Sequence, residues 1–259
     1  CKKNVGTPED NAVSKEPEEN EDIQEEDTYV FGFSGIDMEN PYFITLESAV
    51  REVLEKNGYT MITKDPASSP ELQITQIQEM IDEGADAVFL SPVDWEKITE
   101  ALKLLKEAGV RIINVDTQVK EMDYVDAYIG SDNREAGYIC GEDLIGRCPD
   151  GGKVAILECP TQNSINDRIT GFEEAIAKAE KGFEVVARED TNGEFEKALE
   201  ASKAIVADYP DVKAIMCGND QLAVAAKTAV NLASMDTVVI YGVDGSPDIK
   251  KELKKANGQ

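Results

Sequence analysis

At 259 residues, with 26 Lys and Arg against 52 Asp and Glu, the chain carries a formal charge of −26 and has no histidine. A field of that sign repels nucleic acid and anionic membrane surfaces. The missing imidazole removes Ser–His–Asp hydrolases and histidine-ligated zinc enzymes, but not carboxylate chemistry.

The length holds two modest α/β domains or one large one, and no apolar run approaches the ~20 residues that span a bilayer. The chain opens on Cys1, and residues 2–27 include ten Asp or Glu with almost nothing to bury. Such a stretch is a self-repelling tether. A leading cysteine ahead of it is expected to carry a lipid, so that residues 1–28 form a linker to the outer face of a membrane.

Tyr29-Val-Phe-Gly-Phe then reads as a strand covered on both faces. The loop that follows ends at Asn40-Pro41, an N-cap with proline in the first turn. Ile44, Leu46, Val50, Val53 and Leu54 recur at helical spacing up to the stop at Gly58. A strand at 60–63, a helix through Leu72, Ile77 and Met80, and a strand at 87–90 come next. A helix through Leu102 and Leu105 and a strand at 110–115 follow. Four strand–helix units are expected before residue 118, with a short extended piece at 128–130.

From Asn133 the alternation restarts with a helix to about Arg147 and a strand at 153–158. The loop 159–167 leads to a helix bearing Phe172, and four more units are expected in this half. Two parallel-sheet lobes result, an α/β class with Rossmann-like halves over 29–130 and 131–259. Their carboxyl strand ends face one another across a cleft, where open α/β sheets bind ligands.

The strand ends carry Ser34, Asn40, Tyr42, Phe43, Ser91, Asp94 and Asp116 in the first half. Thr161, Asn163, Asn166, Arg168, Asn219, Asp220 and Asp244 stand there in the second. Carboxylates and amides pair with vicinal hydroxyls, and aromatic faces cover the C–H face of a sugar ring, which suits a neutral polyol. Asn40, Asp94 and Asn219 are equally readable as helix caps, and Phe43 as partly core. Asp116 and Asp244 each end a strongly apolar strand, where an unpartnered carboxylate is costly. Cys140, Cys148, Cys159 and Cys217 have no metal-like spacing and are expected as buried thiols, with a disulfide left open.

Ser34…Asn40-Pro-Tyr-Phe43, Val115-Asp116, Ser131-Asp-Asn133, Arg168-Ile-Thr-Gly-Phe172, Gly218-Asn-Asp220 and Gly242-Val-Asp-Gly-Ser-Pro247 resemble, in order, the periplasmic sugar-binding proteins of the ribose/galactose class. The resemblance implies a two-lobed clamp, expected as a monomer without cofactor, metal or catalysis, that delivers a monosaccharide or cyclitol to an ABC-type permease. By position it implies ligand contacts at Asn40, Tyr42, Asp116, Arg168, Asn219 and Asp244. Thr117 and Gly193 depart from the ribose-binding pattern, and a larger or differently substituted ligand is expected in the vacated space. The alternatives are a sensory sugar-binding module and a glycosidase using Asp116 and Asp244. The pattern also implies further residues after Gln259, so that the chain reads as a fragment.

Overall fold

A computed structural model describes residues 28–255. The expected tether over 1–27, its Cys1, and Ala256 at the end of the last expected helix lie outside the described residues.

The first lobe contains β1 (Val30–Ser34), α1 (Pro41–Lys56), β2 (Thr60–Lys64), α2 (Pro70–Asp82) and β3 (Ala87–Leu90). It continues with α3 (Thr99–Glu107), β4 (Arg111–Val115) and β5 (Ala127–Ile129). The second contains α4 (Asn133–Arg147), β6 (Gly152–Glu158), α5 (Asn163–Ile176), β7 (Phe183–Asp190) and α6 (Phe195–Asp208). Then come β8 (Val212–Cys217), α7 (Asp220–Leu232), β9 (Val239–Tyr241) and α8 (Pro247–Lys255). All pairings among these strands are parallel, in the orders β2-β1-β3-β4-β5 and β7-β6-β8-β9. Both orders reverse once, between β1 and β3 and between β6 and β8.

The central strands of each sheet, β1, β3 and β4 in one and β6 and β8 in the other, are buried on both faces, and side-chain alternation sorts their residues. Val88, Leu90 and Ile112 face α2 and α3, while Phe33 and Met61 face α1 with Leu54. In the second lobe Ala155, Leu157, Ile215 and Cys217 pack under α6 and α7, and Val154, Ile156, Ala214 and Met216 under α4 and α5. Burial on both sides is why these strands read as unbroken apolar runs.

Several expectations are corrected. On α1 the stripe that meets the sheet is Phe43, Leu46, Val50 and Leu54. Ile44 and Val53 stand on its flanks, 48 % and 60 % exposed; Ile44 lies about 100° round the helix from Phe43. No helix follows β4. A 3-10 turn at Met122–Tyr124 leads instead to β5, the extended piece expected at 128–130, which zips onto β4 through Asp126, whose carboxylate accepts from Ile112 N at 2.9 Å. Helix α5 begins at Asn163, inside the stretch expected as loop. Cys140, Cys148, Cys159 and Cys217 are free thiols as expected, but only Cys159 and Cys217 are buried, while Cys140 and Cys148 are half-buried.

Candidate ligand-binding cleft

Both reversals of strand order sit at the same junction, and the loops leaving their carboxyl ends meet there. Trp95 N, after β3, donates to Thr161 O, after β6, at 2.9 Å. Ser164 N, in the first turn of α5, donates to Thr117 Oγ1, after β4, at 2.9 Å. Asn40 Nδ2 reaches Gln221 Oε1 at 3.4 Å. Between these ties lies a narrow cavity of about 30 Å³ lined from both lobes, at the carboxyl strand ends where open α/β sheets bind ligands.

Asn40, Tyr42, Asp116, Arg168, Asn219 and Asp244 all line it. Asn40 and Asn219 are also helix caps: Asn40 Oδ1 accepts from Tyr42 N and Asn219 Oδ1 from Leu222 N, each at 3.0 Å. Capping uses one end of each amide, so one residue serves both purposes. Phe43 touches the cavity with an edge but is 4 % exposed and packs with Ile36 and Val93. Its ring meets that of Tyr42 edge-on at 5.2 Å, so its main part is to hold Tyr42 upright.

Ser34 is not brought to the cleft. It is fully buried, and its hydroxyl accepts from Gln73 Nε2 at 3.0 Å. That amide ties the β1 and β3 ends together by also donating to Ser91 O. Ser34 is the last residue of β1 and the chain turns toward the cleft only after it, which is why strand-end position alone misplaces it. Asp94 is likewise structural, accepting from Glu96 N and Lys97 N at 3.0 and 3.1 Å. Thr117 leaves no vacated space: it is fully buried and bonded across the lobes to Ser164. Gly193, by contrast, does line the cavity.

Asp37, Ser68, Gln162, Ser164 and Gln221 complete the wall and were missed. Gln162 and Ser164 were hidden by the late start given to α5. All five lie in the loop after a strand or in the first turn of the next helix, and that rule would have found them.

The two aspartates hold unusual backbone, Asp116 at φ 63° and Asp244 at φ 134°. The first is left-handed, tolerable for aspartate; the second is a region that favours glycine, and it persists only where its surroundings enforce it. For Asp116 those surroundings are Asp116 N on Ile129 O at 2.9 Å and Tyr128 OH on Asp116 O at 2.7 Å. For Asp244 they are Asp220, whose N donates to Val243 O and whose carboxylate accepts from Ser246 N at 2.6 Å.

Both side chains are thereby aimed inward. Burial raises the Asp116 carboxyl above its ordinary value, opposed by Arg168 and by the Tyr42 hydroxyl, which donates to Asp116 Oδ1 at 3.2 Å. Burial pushes Asp244 up to about 7, with Arg168 pulling down and Asp220 and Asp116 pushing further up. The Asp244 side chain is 12 % exposed, although its backbone is open to solvent. Tyr42 is raised by burial and by Asp116, and stays a hydroxyl donor. Arg168 is 5 % exposed, donates from Nη1 to Gly218 O at 2.8 Å, and lies 3.6 Å from Asp244 Oδ1. The cavity thus offers two carboxylate acceptors around one cation, flanked by amides and hydroxyls that accept and donate. Among the described residues no three His, Cys, Asp or Glu side chains converge as metal ligands.

Residues 31–258 match the periplasmic binding protein domain family. The chain is 28 % identical over 218 residues to the ribose import binding protein of Salmonella typhimurium, covering 84 % of this chain and 73 % of the relative. The solved structure of an ABC transporter solute-binding protein from Burkholderia multivorans superposes with TM-score 0.83 at 26 % identity, over 88 % of this chain and 84 % of that one. A periplasmic solute-binding protein of an ABC transporter from Actinobacillus succinogenes, with bound D-allose, gives 0.79 at 27 % identity over 90 % and 84 %. With its two parallel-sheet lobes and the cleft between their carboxyl ends, the chain belongs to the periplasmic binding protein family.

Proposed function

We propose that the chain is the extracytoplasmic substrate-binding component of an ABC importer, capturing a monosaccharide or cyclitol between its lobes and performing no chemistry on it. The observation that carries this reading is the placement of Asp116 and Tyr42 on one wall, facing Arg168, Asn219 and Asp244 on the other. A ring bearing hydroxyls on several sides satisfies both walls at once, so ligand stabilises the closed state by touching both lobes. Import of ribose by the Salmonella typhimurium relative and the D-allose held by the Actinobacillus succinogenes structure support a sugar as the class.

Asn40, Tyr42, Asp116, Arg168, Asn219 and Asp244 form the contact set, with Phe43 behind Tyr42. A lipid on Cys1 and monomeric action belong to the same proposal. The acidic composition of residues 2–27, which suits a spacer that keeps the clamp off the membrane, supports the lipid.

The test is calorimetry against D-ribose, D-allose, D-galactose, L-arabinose and myo-inositol, with each mixture then checked for product. One ligand should bind at roughly micromolar Kd, about −8 kcal/mol, and be recovered unchanged. No binding across the panel, or an altered sugar, would overturn the reading.

A further inference from the structure

Arg168 presents the cleft with its only positive charge among the lining residues, and its aim is set from behind. Its Nε donates to Asn133 Oδ1 at 2.9 Å, and both residues are 5 % exposed. Asn133 is the first residue of α4, directly after the chain has crossed between the lobes. Its own Nδ2 donates back to Ser131 O at 3.3 Å, which leaves its oxygen turned to α5. With Nη1 on Gly218 O, two edges of the guanidinium are fixed and the plane cannot swing. Nη2 has no protein partner among the described residues.

The pairing is held in register by helix contact. A Cβ at Gly137 would stand 1.7 Å from Arg168 O, and one at Gly171 1.9 Å from Arg134 O. Each glycine receives the other helix's backbone, so α4 and α5 touch main chain to main chain at this height, and no side chain fits at either position. Asn133 lies about one turn before Gly137, and Arg168 about one turn before Gly171. The two side chains therefore face each other whatever the lobes do.

We propose that Asn133 is a positioning residue for ligand binding: its neutral amide oxygen fixes the plane of the Arg168 guanidinium and leaves the arginine's charge to Asp244 and the bound polyol. This rests on the reading of the cleft given above. An alanine at 133 strands a buried Nε–H. An aspartate keeps the acceptor but competes as a charge for the same arginine. Asp244 is faced by Arg168 from α5, Asp220 from α7, Asp116 from the end of β4 and Tyr42 from α1. Arg168 is the cation in that ring, so whatever draws on its field is felt at Asp244.

The experiment is calorimetry on the full chain with D-ribose or myo-inositol, whichever binds more tightly, from about pH 5.5 to 8.5, the range in which a carboxyl raised this far changes charge. Parent, Asn133→Ala, Asn133→Asp and Arg168→Ala are compared. Asn133→Ala should lose about tenfold in affinity at every pH. Asn133→Asp should recover to within about threefold of the parent at the alkaline end, with the midpoint of its pH profile moved upward by about half a unit or more. A merely structural role would lower both melting temperatures and leave that midpoint in place. The proposal is overturned by Asn133→Ala binding within about twofold of the parent, by an unmoved midpoint in Asn133→Asp, or by a flat parental profile. Arg168→Ala separates the two readings: full affinity there condemns the cleft itself, whereas a loss there with normal Asn133→Ala condemns only the role of Asn133.

Discussion

The aspartate at 244 shows what burial does to one carboxyl. Its folded pKa, raised from 3.8 to about 7 mainly by desolvation, means that ionising it in the ligand-free protein is unfavourable. The sign follows: this group's contribution to stability is fully present below its unfolded value near 4 and is lost as pH rises through about 7. In the proposed complex binding runs the other way, because an ionised carboxylate is acceptor-only and suits donating ligand hydroxyls. Affinity should therefore rise with pH through about 7, and Asp244→Asn should flatten both profiles. Melting curves and titrations across that range check both, and a parental slope surviving in Asp244→Asn assigns the titration to another group. At this scale the sequence was informative about residue type. The six residues aligned by resemblance reach one cavity, since all of them follow the carboxyl ends of strands, in the loop or the opening turns of the next helix. Ser34 was misplaced because a serine one position earlier belongs to the strand, where Gln73 takes its hydroxyl.

Among elements, the apolar period located the strands and most of the helices, because burial on both sheet faces leaves continuous apolar runs. It failed where tertiary pairing overrides local pattern. The helix expected with the fourth strand is replaced by a 3-10 turn and by β5, itself expected as a short extended piece, and the polar first turn of α5 resembles a loop until its carbonyls and amides are counted. The close approach of α4 and α5 was equally silent, since Gly137 and Gly171 look like ordinary helix weakeners. Gly137→Ala places a methyl carbon against Arg168 O and should destabilise the fold by about 3 kcal/mol, as overpacking does, measured by urea denaturation. A loss below about 1 kcal/mol would mean the helices part easily. Thr117→Val removes the acceptor of Ser164 N in a fully buried setting. It should weaken ligand binding by about 1 kcal/mol through the closed state, with little change in ligand-free melting. A larger effect on melting than on binding would make the bond a fold constraint rather than a lobe tie.

For the molecule as a whole, two sheets with the same single reversal present their ligand edges to one another, and the chain between them is the short stretch from Gly130 to Asp132, after β5 and before α4. A clamp built this way moves by rotation about that stretch while each lobe stays rigid. Saturating ligand should lower the radius of gyration in solution scattering, and Thr117→Val should need more ligand to reach the same value. A radius indifferent to bound ligand would mean the lobes do not close on it. The net charge of −26 is shared over a chain whose cleft still keeps a buried arginine, so ligand selection rests on local pairing rather than on the overall field, which also matches a neutral solute.

The most direct measurement sets one wall against the other. Calorimetry with the tightest ligand of the panel is run on the parent, on Asp116→Ala from the first lobe and on Asp244→Ala from the second. If both lobes hold the polyol, each variant loses about 2 kcal/mol, roughly thirtyfold, as charged hydrogen bonds vanish and their partners go unpaired. Parental affinity in both variants would contradict the account, because no ligand could then lie between Asp116 and Asp244.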